Sequence, residues 1–213
     1  FVKDNPPFIY FKRELLLKDG GGKVWPIDFP SLHPSYPIEL KSDFDKRPIE
    51  VFFSWGHSHE SRRVLHGNIF INSAKRGYGV VDNFYHFEKA IAEYKRVWAT
   101  IQVPHYARIP MEEVLKVNGK SKLSVSLPGA GIKCFRSSES PINSCMVMRD
   151  DPLSWSYAWI NNQNCIKIPF DYDFDVIRGA KDQWRGIETI EEALQNENLY
   201  DIYVEGVRTL EKY

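Results

Sequence analysis

The sequence predicts an α/β fold: a Rossmann-like, mainly parallel sheet with helices on both faces, preceded by an irregular Pro-rich lead-in. Three observations carry that reading. Short apolar runs alternate with segments of helical spacing from about residue 49 onward. One such run leads into Pro128-Gly129-Ala130-Gly131, which in turn opens a helical segment. Finally, 213 residues suit one large domain, or one domain carrying part of a second.

Residues 1–48 read as the lead-in, or as the remnant of a preceding domain. Gly20-Gly21-Gly22 interrupts it, and Pro26, Pro30, Pro34 and Pro37 punctuate an extended stretch that no long helix tolerates. Only Phe8 to Leu17 has an ordered pattern, as a short strand or helix. The Rossmann-like domain is expected to occupy residues 49–213.

Ile49 to Trp55 is an apolar run ending at Gly56, the signature of a buried strand entering a loop. Ser58 suits a helix cap before Glu60 to His66. Asn83 to Arg96 places Phe84, Phe87, Ile91 and Tyr94 at helical spacing, and Val97 to Val103 returns to strand. Pro110 opens a short helix reaching Val117. Leu123 to Leu127 is the next strand, followed by a helix from about Cys134 to Ile142. Cys145 to Met148 and Cys165 to Ile168 are further strands, and Ile187 to Gln195 and Leu199 to Tyr213 are helical.

Composition narrows the function classes. The 28 basic and 28 acidic residues cancel, so no global field draws the chain to nucleic acid or an anionic membrane, and no nucleic-acid partner is expected. Any anion site is local. Aromatic residues, 14% of the chain, suit sugar stacking and a bulky core equally well. Cys134, Cys145 and Cys165 lack the number for a disulfide framework and the spacing for zinc, which makes a reducing cytoplasm the expected location. No apolar run approaches the roughly 20 residues of a transmembrane segment. The chain begins at Phe1 rather than Met, which leaves an anchor or further domain upstream open.

In parallel sheets, ligands sit at the carboxyl ends of the strands. The loops after Trp55, Val103, Leu127 and Met148 are therefore where chemistry is expected. After Leu127, Gly129, Ala130 and Gly131 let the backbone approach a ligand, and the helix start offers free N–H groups to an anion. Lys133 adds charge beside them, and Arg136 adds a planar fork suited to phosphate. Glu139, one turn further on, accepts from vicinal hydroxyls such as those of a ribose. A diphosphate joined to ribose satisfies that order of groups. The plain alternative is a tight turn followed by an ordinary Arg–Glu surface pair.

The segment Lys120 to Met148, with Ser121-Lys122 entering a strand, then LPGAG, then Arg136-x-x-Glu139 and a short apolar strand, resembles exostosin-type and related glycosyltransferases. The resemblance covers about 30 residues. It implies a GT-B fold of two Rossmann-like domains, with residues 49–213 as the C-terminal domain that binds the nucleotide sugar and the N-terminal acceptor domain absent or truncated, residues 1–48 being its remnant or a lead-in. It implies that Gly129 and Gly131 form the diphosphate turn, that Arg136 binds phosphate and that Glu139 binds ribose. Related proteins often have Ala after that glutamate and Gly-Cys before the next strand, where this chain has Ser140 and Ser144-Cys145. The loop Gly56-His57-Ser58-His59 resembles the family's first C-domain loop, which makes Arg62 or Arg63 a further phosphate ligand.

His57 and His59 alternate as two imidazole ligands of an extended loop would, but they lack a third. No metal site is expected. Polar contacts with nucleotide or acceptor, or a structural role, suit them better. His105, Asp150 and Trp155 are candidate sugar or acceptor contacts, on loops that equally suit burial. The expected substrate is a nucleoside diphosphate sugar, with a glycan or other hydroxyl acceptor as second partner and no separate cofactor. No catalytic base can be named.

Two rival readings stand beside this. An NAD(P)-dependent Rossmann enzyme fits GAGIKC and an acid, Asp150, about 20 residues on, although Cys134 replaces the third glycine. A non-catalytic nucleotide- or sugar-binding module fits a chain that holds little more than one domain.

Overall fold

A computed structural model of the chain describes residues 10–12, 24–26, 43–55, 79–81, 87–102, 110–126, 140–150, 159–169 and 180–211. Two short strands, β1 (Tyr10–Lys12) and β2 (Val24–Pro26), pair in parallel. The lead-in expected to be irregular therefore contains a small ladder, with Pro26 at its last position, where a missing N–H costs least.

Six further strands continue the chain: β3 (Ile49–Trp55), β4 (Gly79–Val81), β5 (Val97–Gln102), β6 (Ser121–Ser126), β7 (Cys145–Asp150) and β8 (Ile166–Pro169). They form one sheet in the order β4-β5-β3-β6-β7-β8, and every pairing is parallel. The helices are α1 (Phe87–Glu93), α2 (Met111–Gly119), α3 (Ala180–Leu194) and α4 (Leu199–Glu211). The chain thus has a Rossmann-like α/β fold, with a parallel sheet covered on both faces.

Alternation along the strands sorts the core. Val51 and Phe53 of β3, Trp98, Leu123, Val125, Cys145, Val147, Ile166 and Ile168 pack with Ile187, Ile190 and Ala193 of α3 and with Ile202, Tyr203 and Val207 of α4. On the other face, Ile49, Phe52, Val97 and Ala99 meet Val117 of α2, with Ile91 of α1 and Val114 packed against them. Leu210 of α4 joins Ile142, Met146, Trp159 and Cys165 in a third cluster. Strands buried on both faces lose their period-2 pattern, which is why β3 reads as an almost unbroken apolar run.

Glu50 breaks that run for a reason visible only in the sheet. Its carboxylate accepts from Arg96 Nε at 2.9 and 3.0 Å and from Trp98 Nε1 at 3.0 Å. The Arg96 carbonyl also accepts from the amide of Gly79, at 2.8 Å. These contacts hold residues 94–96 outside α1, so the helix expected to reach Arg96 ends at Glu93.

Before β3, a 3-10 turn at Phe44–Lys46 tucks Phe44 into the core, where it is 2% exposed. The guanidinium of Arg47 lies 4.7 Å from the Phe44 ring centroid and 5.1 Å from that of Tyr203. Arg47 Nη1 donates to the carbonyls of Ser121, at 2.8 Å, and Asn143. Cation–π contact and these two bonds offset part of the cost of burying the charge. Residues 44 and 47, ahead of β3, are therefore part of the packed core.

α2 starts as its sequence predicts. Pro110 holds the capping position with φ −54°, Glu112 and Glu113 occupy the first turn, and Lys116 pairs with Glu113 at 2.7 Å. A short link, residues 195–198, separates α3 from α4. Asn196 organises it: its carbonyl accepts from Leu199 N and its side chain from Asn198 N. Among the described residues no helix is long and apolar enough to cross a membrane.

Candidate functional site

The strand order identifies one place where a ligand crevice is expected. After β3 the chain builds β4 and β5 on one side, then crosses back to lay β6, β7 and β8 on the other. β3 and β6 are therefore neighbours whose successors build out in opposite directions, the topological switch point of an open α/β sheet.

Register places the strand ends. Trp55 pairs with Gln102, Phe52 with Ser124, and Ser126 with Met148. Carried forward from Phe52–Ser124, the ladder puts Ser54 level with Ser126. β3 and β6 thus end within one residue of each other, in strands about 4.8 Å apart. The segments beginning at Gly56 and Leu127 leave the same edge of the sheet from adjacent strands. Those beginning after Gln102 and at the end of β7 leave from the strands on either side.

Asp150 is the last residue of β7 and pairs with Pro169, on that same carboxyl edge. Gly129, Ala130, Gly131, Lys133, Arg136 and Glu139 lie outside the described residues, as do Arg62, Arg63, His57, His59, His105 and Trp155. The structure thus brings together the strand ends from which the expected donor residues depart.

The described residues also hold a buried polar cluster, which reaches from the middle of β6 to the amino end of β7. Ser140 begins a 3-10 turn, Ser140–Ile142, directly after Glu139. The Ser140 carbonyl accepts from Asn118 Nδ2 at 3.1 Å, Ser144 Oγ at 3.1 Å and Ser144 N at 3.2 Å. Its hydroxyl oxygen accepts from Ser124 Oγ of β6 at 3.0 Å. Ser144 Oγ also reaches Asn118 Oδ1 at 2.6 Å. All four residues are buried, so each bond forms where an unpaired group would be costly. Sequence reasoning marked Ser140 and Ser144 only as departures from a pattern. The one signal of their partnership was the serine repeat in β6, at Ser124 and Ser126.

Cys145 and Cys165 are buried thiols, and burial pushes the Cys145 thiol far above its ordinary range, helped by the nearby Cys165. The two belong to different core clusters. They are packing residues rather than nucleophiles. Among the described residues no group of three His, Cys, Asp or Glu side chains is placed to hold a metal ion. Compared with known proteins, the chain matches no family model and no curated protein.

Proposed function

We propose that the chain is a glycosyltransferase, or the donor-binding domain of one, which moves a sugar from a nucleoside diphosphate sugar to a hydroxyl acceptor. The observation that carries this reading is the switch point between β3 and β6. It starts the glycine-bearing segment 127–139 beside the segment that carries Arg62 and Arg63, at the edge where open α/β sheets bind ligands.

In the proposed reaction the acceptor oxygen bonds to the anomeric carbon while that carbon's bond to the diphosphate breaks. The acceptor proton passes to a base, or to the donor phosphate itself. Arg136, Arg62 or Arg63 and the amides near Gly129 and Gly131 stabilise the departing charge without a metal ion. Glu139 holds the ribose. The GT-B reading makes residues 49–213 the donor half.

Strand order also weighs against the dinucleotide alternative. The dinucleotide fingerprint belongs to the first strand–helix turn of its sheet. Here the first turn begins Gly56-His57-Ser58, and the glycine-rich turn comes after β6, the fourth strand of the sheet in chain order.

Calorimetric titration with UDP, GDP and NAD tests the proposal. UDP or GDP should bind, and Glu139→Ala should weaken that binding about tenfold, the scale of a charge-assisted hydrogen bond. Binding of NAD alone would overturn it.

A further inference from the structure

We infer that Arg47 and Tyr203 form a binding site for a small carboxylate, with the Nε and Nη2 side of the Arg47 guanidinium as its receptor. Arg47 stands two residues before β3 and bonds the first residue of β6. The site is therefore at the amino edge of the sheet, opposite the carboxyl edge, and does not depend on the donor-site reading.

Three unused donors point to it. Among the described residues, the buried side-chain nitrogen and oxygen atoms without a hydrogen-bond partner are Arg47 Nε, Arg47 Nη2 and Tyr203 Oη. All three belong to one cluster. Arg47 Cζ lies 4.7 Å from the Phe44 ring centroid and 5.1 Å from that of Tyr203, and those two rings stack on each other. Arg47 is 5% exposed and Tyr203 1%. Buried polar groups ordinarily find partners, because each bond left unmade keeps its full desolvation cost.

The unused atoms define the ligand. Nη1 already donates to the carbonyls of Ser121 and Asn143. Nε and Nη2 carry parallel N–H bonds on one side of the planar group, spaced to meet both oxygens of a carboxylate. The two carbonyls and the aromatic rings supply dipoles and quadrupoles but no negative charge, so they compensate the buried cation only in part. One carboxylate supplies the one charge required. A phosphate dianion would bring a second charge to be buried unmatched. Tyr203 Oη adds a third donor to the same cluster.

Access limits the ligand's size. The Tyr200 ring lies 5.7 Å from Phe44 and 6.2 Å from Tyr203, and of these three rings it is the one that reaches the surface, at 37% exposed. A ligand passes that ring to reach Arg47, and exposed side chains change rotamer readily. Formate and acetate are small enough to follow. An acidic side chain of another protein would have to bring its backbone with it, which the buried position of Arg47 resists.

The test is thermal unfolding of the full chain at neutral pH in sodium formate against equal concentrations of sodium chloride, for wild type, Arg47→Met and Tyr203→Phe. Formate at about ten times its dissociation constant should raise the wild-type melting temperature by about 3–5 °C over chloride. Arg47→Met fills the space against the rings without the fork and should show no such rise. Tyr203→Phe removes only the hydroxyl and should need about fivefold more formate for the same rise. Should Arg47→Met fail to fold, the Tyr203→Phe shift carries the test. Coincident formate and chloride curves for wild type overturn the site. An equal formate rise in wild type and Arg47→Met overturns it too, since the salt then acts on the whole surface. A Tyr203→Phe response equal to wild type overturns the part given to Tyr203. A rise with inorganic phosphate and none with formate overturns the carboxylate assignment.

Discussion

Replacing Phe44 by Ala is the sharpest test of how the residues ahead of β3 pack. Phe44 is 2% exposed. Its ring stacks on Tyr203 with centroids 5.1 Å apart and planes 16° from parallel, and it meets Tyr200 at 5.7 Å. Deleting a buried phenylalanine ring costs about 3–5 kcal/mol, through lost transfer energy and the cavity left behind. Arg47 would lose one of its two aromatic faces as well. With a urea dependence of ~2–3 kcal/mol per M, the unfolding midpoint should fall by roughly 1–2.5 M. Phe44→Leu keeps most of the volume and should cost less than about 1.5 kcal/mol. Asp45→Ala, at an exposed position beside it, should stay within about 0.5 kcal/mol of wild type. A Phe44→Ala midpoint indistinguishable from that of Asp45→Ala would refute the packing of residues 43–48 into the domain.

Two further predictions probe the core. Gly206→Ala in α4 should gain about 1 kcal/mol from helix propensity alone, but the new Cβ would stand 2.9 Å from the backbone oxygen of Asn164. Thermal unfolding should therefore show a net loss of about 1–3 kcal/mol, and a stabilised variant would contradict this contact. Burial raises the Cys145 thiol well above its ordinary pKa of 9.0, so the folded state holds it neutral at a pH where the unfolded chain ionises it. Its contribution is complete below about pH 9 and is lost above it, at up to about 1.4 kcal/mol per pH unit. Urea titrations between about pH 8 and 10.5, which bracket that ordinary pKa, should show a shallower decline for Cys145→Ala than for wild type; parallel declines would sink the assignment.

The sequence displays most of this architecture because most of it is local. β3 was readable at both ends, since a parallel strand buried on two faces is a continuous apolar run and Gly56 closes it. α2 was readable from Pro110 and its acidic first turn. The chemistry expected of segment 127–139 also came from the sequence, because glycines, a cation and a carboxylate at helical spacing need no tertiary information to be recognised.

Other features depend on partners that are distant in the chain. β4 has three residues, too few to show a period, and becomes a strand only because β5 pairs with it. The end of α1 depends on Arg96 bonding Glu50, 46 residues away. Phe44 looked like part of a proline-rich lead-in until Tyr203, from the far end of the chain, stacked on it.

The sequence by itself determined the α/β class and the main elements, and it supplied the expectation of a ligand site at residues 127–139. Only the tertiary structure decided the order of the strands, the packing of residues 43–48 against α4, and the hydrogen bond that Ser124 and Ser140 share. The physical reason is the same in each case. Periodicity and capping are energies between residues a few positions apart, whereas strand order and buried polar pairing are fixed by contacts that exist only once the chain has closed on itself.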